Sequence, residues 1–271
     1  MKGRRLWMLV PLLILLCACG VLVSRVADRR QAAADYARAA ELAGLTEPAA
    51  SVPTESVLPH PSDEPQAEPG TTEEDKKEPP ATEPGAPSVP DPYAQALAEM
   101  DFRALQAVNG DVIGWIWIPG TNISYPLLQS GDNSRYLDHT WTGRRSSAGA
   151  IFLDSRCSGD LSDAHCVIYG HRMLGGSMFG GLRRYSDAAY LAALPEVYVA
   201  TESGTARYRI FAAYEADVSD GTYRLSFPDE AAWTAYLEAQ GVTGGGKLLT
   251  LSTCTALGSR NKRWVVRAIA Q

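Results

Sequence analysis

Short apolar runs separated by turn residues dominate the chain from residue 110 onward. These runs have strand length and are rich in Val, Ile, Tyr and Trp, and Pro119-Gly120 ends the first of them. Eight such runs in one stretch predict a closed β-barrel or a β-sandwich. The predicted strands are Ile113–Ile118, Ile123–Leu128, Ala150–Leu153, Cys166–Tyr169, Glu196–Ala200, Tyr208–Ala213, Lys247–Ser252 and Trp264–Ile269.

Helical spacing of apolar residues appears before and between these strands. Asp91 is suited to an N-cap and Pro92 to the first helical position, so a helix is predicted from Tyr93 to Val108. Two helical insertions are predicted further along the chain: Met178–Leu194, broken near Tyr185, and Asp229–Gln240. The fold class is therefore mainly β with flanking helices.

A long apolar run near the N-terminus predicts a membrane anchor. Residues 6–23 are apolar, follow a basic flank at residues 1–5, and precede Arg25. As a helix this run would measure roughly 27 Å, close to the hydrocarbon thickness of a bilayer. Cys19 lies in a sequence with a weak likeness to a lipoprotein cleavage box, but the run continues beyond it to Val23. An uncleaved single-pass helix with an exported domain is predicted, and lipidation of Cys19 stays open as the alternative.

The composition changes after the anchor. Residues 24–45 are alanine-rich and predict a helical juxtamembrane segment. Residues 46–92 hold twelve of the seventeen prolines and eleven acidic residues against two lysines. Such a segment cannot bury a core, so it is predicted to be a disordered, solvated linker. The folded domain is assigned to residues 93–271.

The acidity of the chain is confined to this linker. The formal net charge is −6 for the whole chain, and the eleven acids and two bases of the linker give −9, which leaves +3 elsewhere. No basic run interleaved with aromatic residues occurs, so nucleic acid is not a predicted partner.

The cysteines do not form a disulfide or metal pattern. Cys157 and Cys166 flank a polar loop and are predicted to be free thiols or at most an incidental pair, because a domain of this size needs no disulfide framework. Neither a zinc-type Cys/His spacing nor a phosphate loop is present. No metal and no cofactor is therefore predicted.

Three predicted strand ends carry residues suited to acyl transfer. Cys254 ends an apolar, β-branched run, His171 follows another strand, and Arg263 opens the last one. A nucleophilic thiolate needs a proton partner and an electropositive setting, and acyl transfer needs a donor to the oxyanion. Each residue alone is compatible with a structural role, but the combination predicts a cysteine acyltransferase. His60, His139 and His165 are weaker histidine candidates.

The motifs around these residues resemble the sortase family of cysteine transpeptidases. Thr250–Cys254 matches Thr-Leu-x-Thr-Cys, Tyr169–His171 contains the Gly-His pair, and Arg263–Val266 matches Arg-aromatic-Val-Val. Further stretches are similar to class B sortases: Val112–Thr121, Ile123–Pro126, Asn133–Leu137, Gly149–Asp154, Ser177–Phe179 and the helix Asp229–Gln240. The long acidic linker departs from class B, and Thr255 stands where some relatives carry an acidic residue.

The resemblance implies a closed eight-stranded sortase-type β-barrel and a reaction at the surface of a Gram-positive bacterium. A sorting signal of the Asn-Pro-x-Thr kind on a surface protein would be cleaved after Thr. The acyl group would then pass through a thioacyl enzyme to an amine of a cell-wall precursor or to a pilin lysine. Cys254 would be the nucleophile, His171 the acid and base, and Arg263 the oxyanion donor. Asn133 and Leu137 match family positions that contact the signal, and Ser252 and Thr255 flank the nucleophile.

Two other functions are compatible with parts of the sequence. A different cysteine peptidase or an L,D-transpeptidase would also use a thiol, but His171 precedes Cys254, unlike the papain order, and no His-Gly-Cys context surrounds the cysteine. A non-catalytic binding module on a stalk would explain the anchor and linker, but it would leave the Thr250–Cys254 motif and Arg263 without a purpose.

Overall fold

The chain folds around a closed β-barrel of eight strands, as predicted. The computed structural model describes residues 2–45, 91–254 and 261–271. The strands are β1 (Val112–Ile118), β2 (Ile123–Leu128), β3 (Ile151–Leu153), β4 (His165–Tyr169), β5 (Glu196–Thr201), β6 (Gly204–Asp217), β7 (Leu248–Cys254) and β8 (Lys262–Ala270). The predicted linker, apart from Asp91 and Pro92, lies outside the described residues.

The strand order around the barrel is β1-β2-β3-β4-β7-β8-β6-β5, and β5 pairs with β1 to close it. The β2–β3 and β4–β7 pairs are parallel, and the other pairs are antiparallel. Apolar side chains fill the interior, among them Trp115, Leu127, Ile168, Leu251 and Val266, all of which are fully buried. Burial of these runs explains why they were recognisable as strands from hydrophobicity alone.

Strand β6 is much longer than the six residues predicted for it. It spans 14 residues because its first half pairs with β5 and most of its length pairs with β8. A register shift between Ile210 and Ala212 interrupts the alternation of inward and outward side chains. Arg207 and Glu215, on either side of the predicted run Tyr208–Ala213, are exposed, so the apolar run marked only part of the strand.

The prediction of one continuous helix from Tyr93 to Val108 is wrong. Two helices occupy the segment, α2 (Pro92–Ala98) and α3 (Phe102–Val108). The predicted Asp91 cap is present, since its Oδ1 accepts from the N–H groups of Tyr93 at 3.0 Å and Ala94 at 3.2 Å. Asp101 caps α3 by accepting from Ala104 N–H at 2.9 Å, and this second cap ends the first helix before it can continue.

The two predicted helical insertions are also present. The first consists of a 3₁₀ turn at Gly180–Ser186 and helix α4 (Ala188–Ala193), with the break just after Tyr185. The second is helix α5 (Glu230–Glu238), capped by Asp229, which accepts from Ala232 N–H at 2.8 Å.

Helix α1 (Lys2–Leu42) contains both the predicted anchor and the predicted juxtamembrane segment. Across the ranges that the structure describes, no helix is both long and apolar enough to cross a membrane, so the predicted transmembrane helix at residues 6–23 finds no support there. The C-terminal part of α1 and the turn after it pack onto the barrel, where Tyr36, Ala39 and Ala43 are buried in the main core. Nothing in the sequence of residues 24–45 indicated this contact.

Polar contacts fix this part of α1 to the connection between β2 and β3. Tyr36 Oη donates to the carbonyl of Gly149 at 2.6 Å, and Trp141 Nε1 donates to the carbonyl of Asp35 at 2.7 Å. Arg144 forms ion pairs with Asp28 at 3.0 Å and with Asp35 at 3.1 Å. These partners are more than 100 positions apart in the chain, so α1 is an integral part of the folded unit.

Candidate active site

Strand pairing brings the three predicted catalytic positions to one end of the barrel. Strand β4 runs parallel to β7 with Tyr169 beside Ser252, and His171 follows β4 after one residue. Strand β7 runs antiparallel to β8, and their last pair joins Cys254 to Arg263. The backbone of Cys254 therefore ends β7 directly opposite Arg263, while its side chain lies outside the described part of the structure.

A cleft of about 210 Å³ lies at this end of the barrel. It collects most of the residues predicted to act or bind substrate. Its lining comprises Asn133, Leu137, Phe152, Tyr169, Gly170, His171, Ser252, Thr253 and Arg263. Thr255, the remaining predicted substrate-binding residue, lies outside the described residues, so its position in the site stays a prediction.

His171 is held by a backbone carbonyl. Its Nε2 lies 2.5 Å from the carbonyl oxygen of Leu137. Because a carbonyl can only accept, Nε2 carries the hydrogen, and Nδ1 is the nitrogen at which the neutral ring can take up a proton. The connection between β2 and β3 thus orients the imidazole, and this connection is itself fixed by α1.

Gly149 makes this arrangement possible sterically. A side chain at this position would place its Cβ 2.6 Å from the carbonyl oxygen of Tyr136 and 2.8 Å from Cδ2 of His171. Gly149 also has a φ of +59°, which favours glycine. Substitution here would displace the histidine ring or the strand connection.

A buried carboxylate stabilises one wall of the cleft. Asp154 is fully buried, accepts from Tyr169 Oη at 2.9 Å, and receives two bonds from Arg156, at 2.9 and 2.8 Å. Burial alone would raise the pKa of Asp154, but the bonds from Arg156 and Tyr169 outweigh it and lower the pKa to about 2. The carboxylate stays ionised and fixes Tyr169, whose pKa is raised by burial and by the nearby charge.

Asn133 and Ser252 are also positioned by specific bonds. Asn133 Oδ1 accepts from Ser155 N–H at 2.8 Å, and the Asn133 side chain also hydrogen-bonds to the carboxylate of Asp154. Ser252 Oγ and Tyr223 Oη lie 2.9 Å apart. The half-buried Arg263 donates from Nη1 to the carbonyl of Lys262 at 3.0 Å.

His165, which the sequence analysis placed in a polar loop, is the first residue of β4 and is fully buried. Its Nδ1 donates to the carbonyl of Arg224 at 2.8 Å, and its Nε2 accepts from Thr250 Oγ1 at 2.9 Å. Burial lowers the pKa of His165 to about 4. This neutral histidine links β4 to the strand that ends at Cys254, a structural role that only the fold reveals.

Cys157 and Cys166 are free thiols, as predicted. In the described part of the chain, Cys157, Asp163 and Cys166 form a group whose sulfur and oxygen atoms lie within 4.8 Å of one another. The donor types would suit a soft divalent ion. The group does not line the cleft at His171 and Arg263, so the chemistry of the cleft is derived from its own side chains.

Comparison with known proteins identifies the family. The family model for the sortase domain matches residues 116–271. The chain belongs to the sortase family. Sortase B of Listeria monocytogenes is 38% identical over 166 residues, which cover 57% of this chain and 67% of the relative.

Solved structures agree with this assignment. A Staphylococcus aureus sortase B–substrate complex is 26% identical with a TM-score of 0.59, over 63% of this chain and 84% of that one. Sortase B from B. anthracis is 30% identical with a TM-score of 0.57, over 62% and 81% of the two chains. The protein is thus a class B sortase and a cysteine transpeptidase, which excludes the non-catalytic module and the unrelated cysteine enzymes.

Proposed function

We propose that this sortase cleaves an Asn-Pro-x-Thr-like sorting signal of a surface protein after its Thr and transfers the acyl group to an amine. The acceptor would be a cell-wall precursor or a pilin lysine. The observation that carries the proposal is the cleft in which His171, Arg263, Asn133 and Leu137 meet beside the β7 terminus at Cys254.

The proposed reaction has two half-reactions. The Cys254 thiolate attacks the Thr carbonyl carbon, a C–S bond forms, and the peptide C–N bond breaks as His171 gives its proton to the leaving amine. The incoming amine then attacks the thioester, loses a proton to His171, and releases the Cys254 thiolate. Arg263, opposite Cys254 in the strand register, donates hydrogen bonds to the oxyanion in both steps.

Substrate recognition is assigned to the remaining lining residues. The Asn133 amide and the Leu137 side chain, which is exposed, face the cleft and would contact the signal. Ser252 would line the floor, and Thr255 would follow the nucleophile. A solved sortase B structure is complexed with Gly3, a peptide with a free amine, and this agrees with an amine acceptor.

The substrate proposal is tested with a peptide panel. Fluorogenic peptides with Asn-Pro-x-Thr, Leu-Pro-x-Thr and a scrambled sequence are incubated with the full chain and triglycine, and products are identified by mass. Cleavage after Thr with attachment of triglycine, selective for Asn-Pro-x-Thr, is expected. Equal cleavage of the scrambled peptide would contradict the recognition proposal.

We also propose that residues 6–23 tether the enzyme to the membrane, with the domain outside a Gram-positive cell and residues 46–92 acting as a spacer. The apolar composition of the run and the exposed side chains of Leu15, Leu22 and Val23 on α1 support this. Alkaline extraction of membranes, combined with protease treatment of intact cells, tests it. Release of the enzyme by alkali, or protection from external protease, would contradict it.

A further inference from the structure

A second cavity, of about 680 Å³, also reaches His171. Part of its wall comes from α1 at residues 24–29, and the rest comes from the segments that follow β2 and β4. Of the residues that the structure describes, His171 alone lines both this cavity and the cleft at Arg263. The imidazole therefore borders two spaces at once.

The α1 wall of this cavity is built into the fold. Asp28 accepts from Arg144 at 3.0 Å and from the backbone N–H and the hydroxyl of Ser147, each at 3.1 Å. One turn or more further along, Asp35 and Tyr36 hold the same strand connection. These bonds hold α1 against the connection between β2 and β3 on this side of the cavity.

The lining of this cavity is predominantly cationic. Four arginines face two aspartates: Arg25, Arg29, Arg145 and Arg172 against Asp28 and Asp138. Both aspartates are already paired, Asp28 with Arg144 and Asp138 with Arg145 at 2.8 Å. Among the described residues, the ion pairs of this region do not involve Arg25 or Arg29. These two exposed guanidinium groups leave the cavity with an excess of positive charge.

We propose that this cavity binds an anionic group of the acceptor substrate and presents the acceptor amine to His171. The inference rests on the proposed transpeptidase function. While the acyl donor occupies the cleft beside Arg263, the acceptor must reach His171 from another side, and this cavity offers such an approach. Guanidinium groups bind carboxylates and phosphates through paired N–H donors, so the acceptor carries one of these groups near its amine.

Matched acceptors test the proposal with the full chain and a donor peptide of the Asn-Pro-x-Thr kind. The acceptors are Gly-Gly-Glu-amide, its neutral isostere Gly-Gly-Gln-amide, and Gly-Gly-phosphoserine-amide. The native protein is expected to favour the anionic acceptors over the glutamine acceptor in kcat/KM by at least about fivefold, the size of a partly screened ion pair. A larger gain for the phosphate or for the carboxylate identifies which group the cavity takes, and either supports the proposal.

Substitutions and changes in ionic strength test whether Arg25 and Arg29 cause the preference for anionic acceptors. The double variant Arg25→Gln/Arg29→Gln is expected to lose the preference, whereas Arg38→Gln, an exposed arginine of α1 outside the cavity, should keep it. Rising ionic strength should weaken the preference in the native protein, which needs no variant to fold. Equal kcat/KM for the three acceptors, or a preference unchanged in the double variant, would overturn the inference.

Measuring the reaction with the donor peptide alone distinguishes a failure of the cavity assignment from a failure of the transpeptidase proposal. Intact-mass measurement of the enzyme with donor peptide alone reports the thioacyl adduct on Cys254. An adduct that forms normally but transfers without acceptor preference contradicts only the cavity assignment. Absence of the adduct would overturn the transpeptidase proposal and the cavity assignment together.

Discussion

Acidification from pH 7 to pH 5 is expected to destabilise the barrel through His165. This residue is fully buried between the carbonyl of Arg224 and the hydroxyl of Thr250. Burial lowers its pKa to about 4; the bond to Arg224 opposes this shift, and the charge of Arg267 adds to it. An unfolded histidine has a pKa of about 6.5.

The sign and size follow from proton linkage. Between pH 6.5 and 4 the unfolded chain binds a proton at this position and the folded chain does not, so stability falls as the pH drops. For these two pKa values, the free energy of unfolding decreases by about 2 kcal/mol between pH 7 and pH 5.

Urea unfolding of the full chain at pH 7, 6 and 5, followed by tryptophan fluorescence, measures this loss. His165→Gln keeps a donor and an acceptor but cannot be protonated. Its free energy of unfolding should therefore decrease between pH 7 and pH 5 by about 2 kcal/mol less than that of the native protein. His139→Gln, at a partly exposed histidine, serves as the matched control. If His165→Gln and the native protein lose the same stability between pH 7 and pH 5, the assignment of this proton to His165 is wrong.

Three other perturbations test separate parts of the structure. Tyr36→Phe removes the 2.6 Å bond to Gly149 and leaves a buried carbonyl unsatisfied, so urea unfolding should show a loss of about 1–2 kcal/mol; an unchanged midpoint would contradict the docking of α1. Because the pKa of Asp154 is lowered, its carboxylate stabilises the fold above about pH 4, and this stability is lost as the pH falls towards 2. Acid unfolding of Asp154→Asn should lack this step, and an acid unfolding profile identical to that of the native protein would refute the role of Asp154. Arg263→Lys should reduce turnover by roughly 10²-fold or more with little change in thermal unfolding, because an ammonium lacks the planar fork, whereas a near-normal Arg263→Ala beside an inactive Arg260→Ala would move the role to Arg260.

The sequence predicted the strands well because each one is a local apolar run. It could not predict strand register, since the pairing of Tyr169 with Ser252 and of Cys254 with Arg263 depends on distant segments. The sequence motifs pointed to Asn133, Leu137 and His171, and the fold places all three in one cleft.

Two features were missed for identifiable physical reasons. The 24–45 segment is alanine-rich and carries several charged residues, so its sequence did not indicate that it packs on the barrel. Its partners Arg144 and Gly149 lie more than 100 residues away in the chain. His165 closely follows the polar loop that ends at Asp163, so nothing local indicated that Arg224 and Thr250 would satisfy both ring nitrogens inside the barrel. Asp154 was part of the class B motif Gly149–Asp154, and Arg156 lies only two positions after it in the chain. This spacing could have predicted the ion pair that supports the cleft wall.

The most direct test of the account is the mass of the enzyme after mixing with a sorting peptide in the absence of an amine. We expect an adduct equal to the acyl fragment ending in Thr, mapped to Cys254, removed by added triglycine, and absent in Cys254→Ala, which should unfold at the native temperature. An adduct on Cys157 or Cys166, or normal peptide transfer by Cys254→Ala, would contradict the central claim.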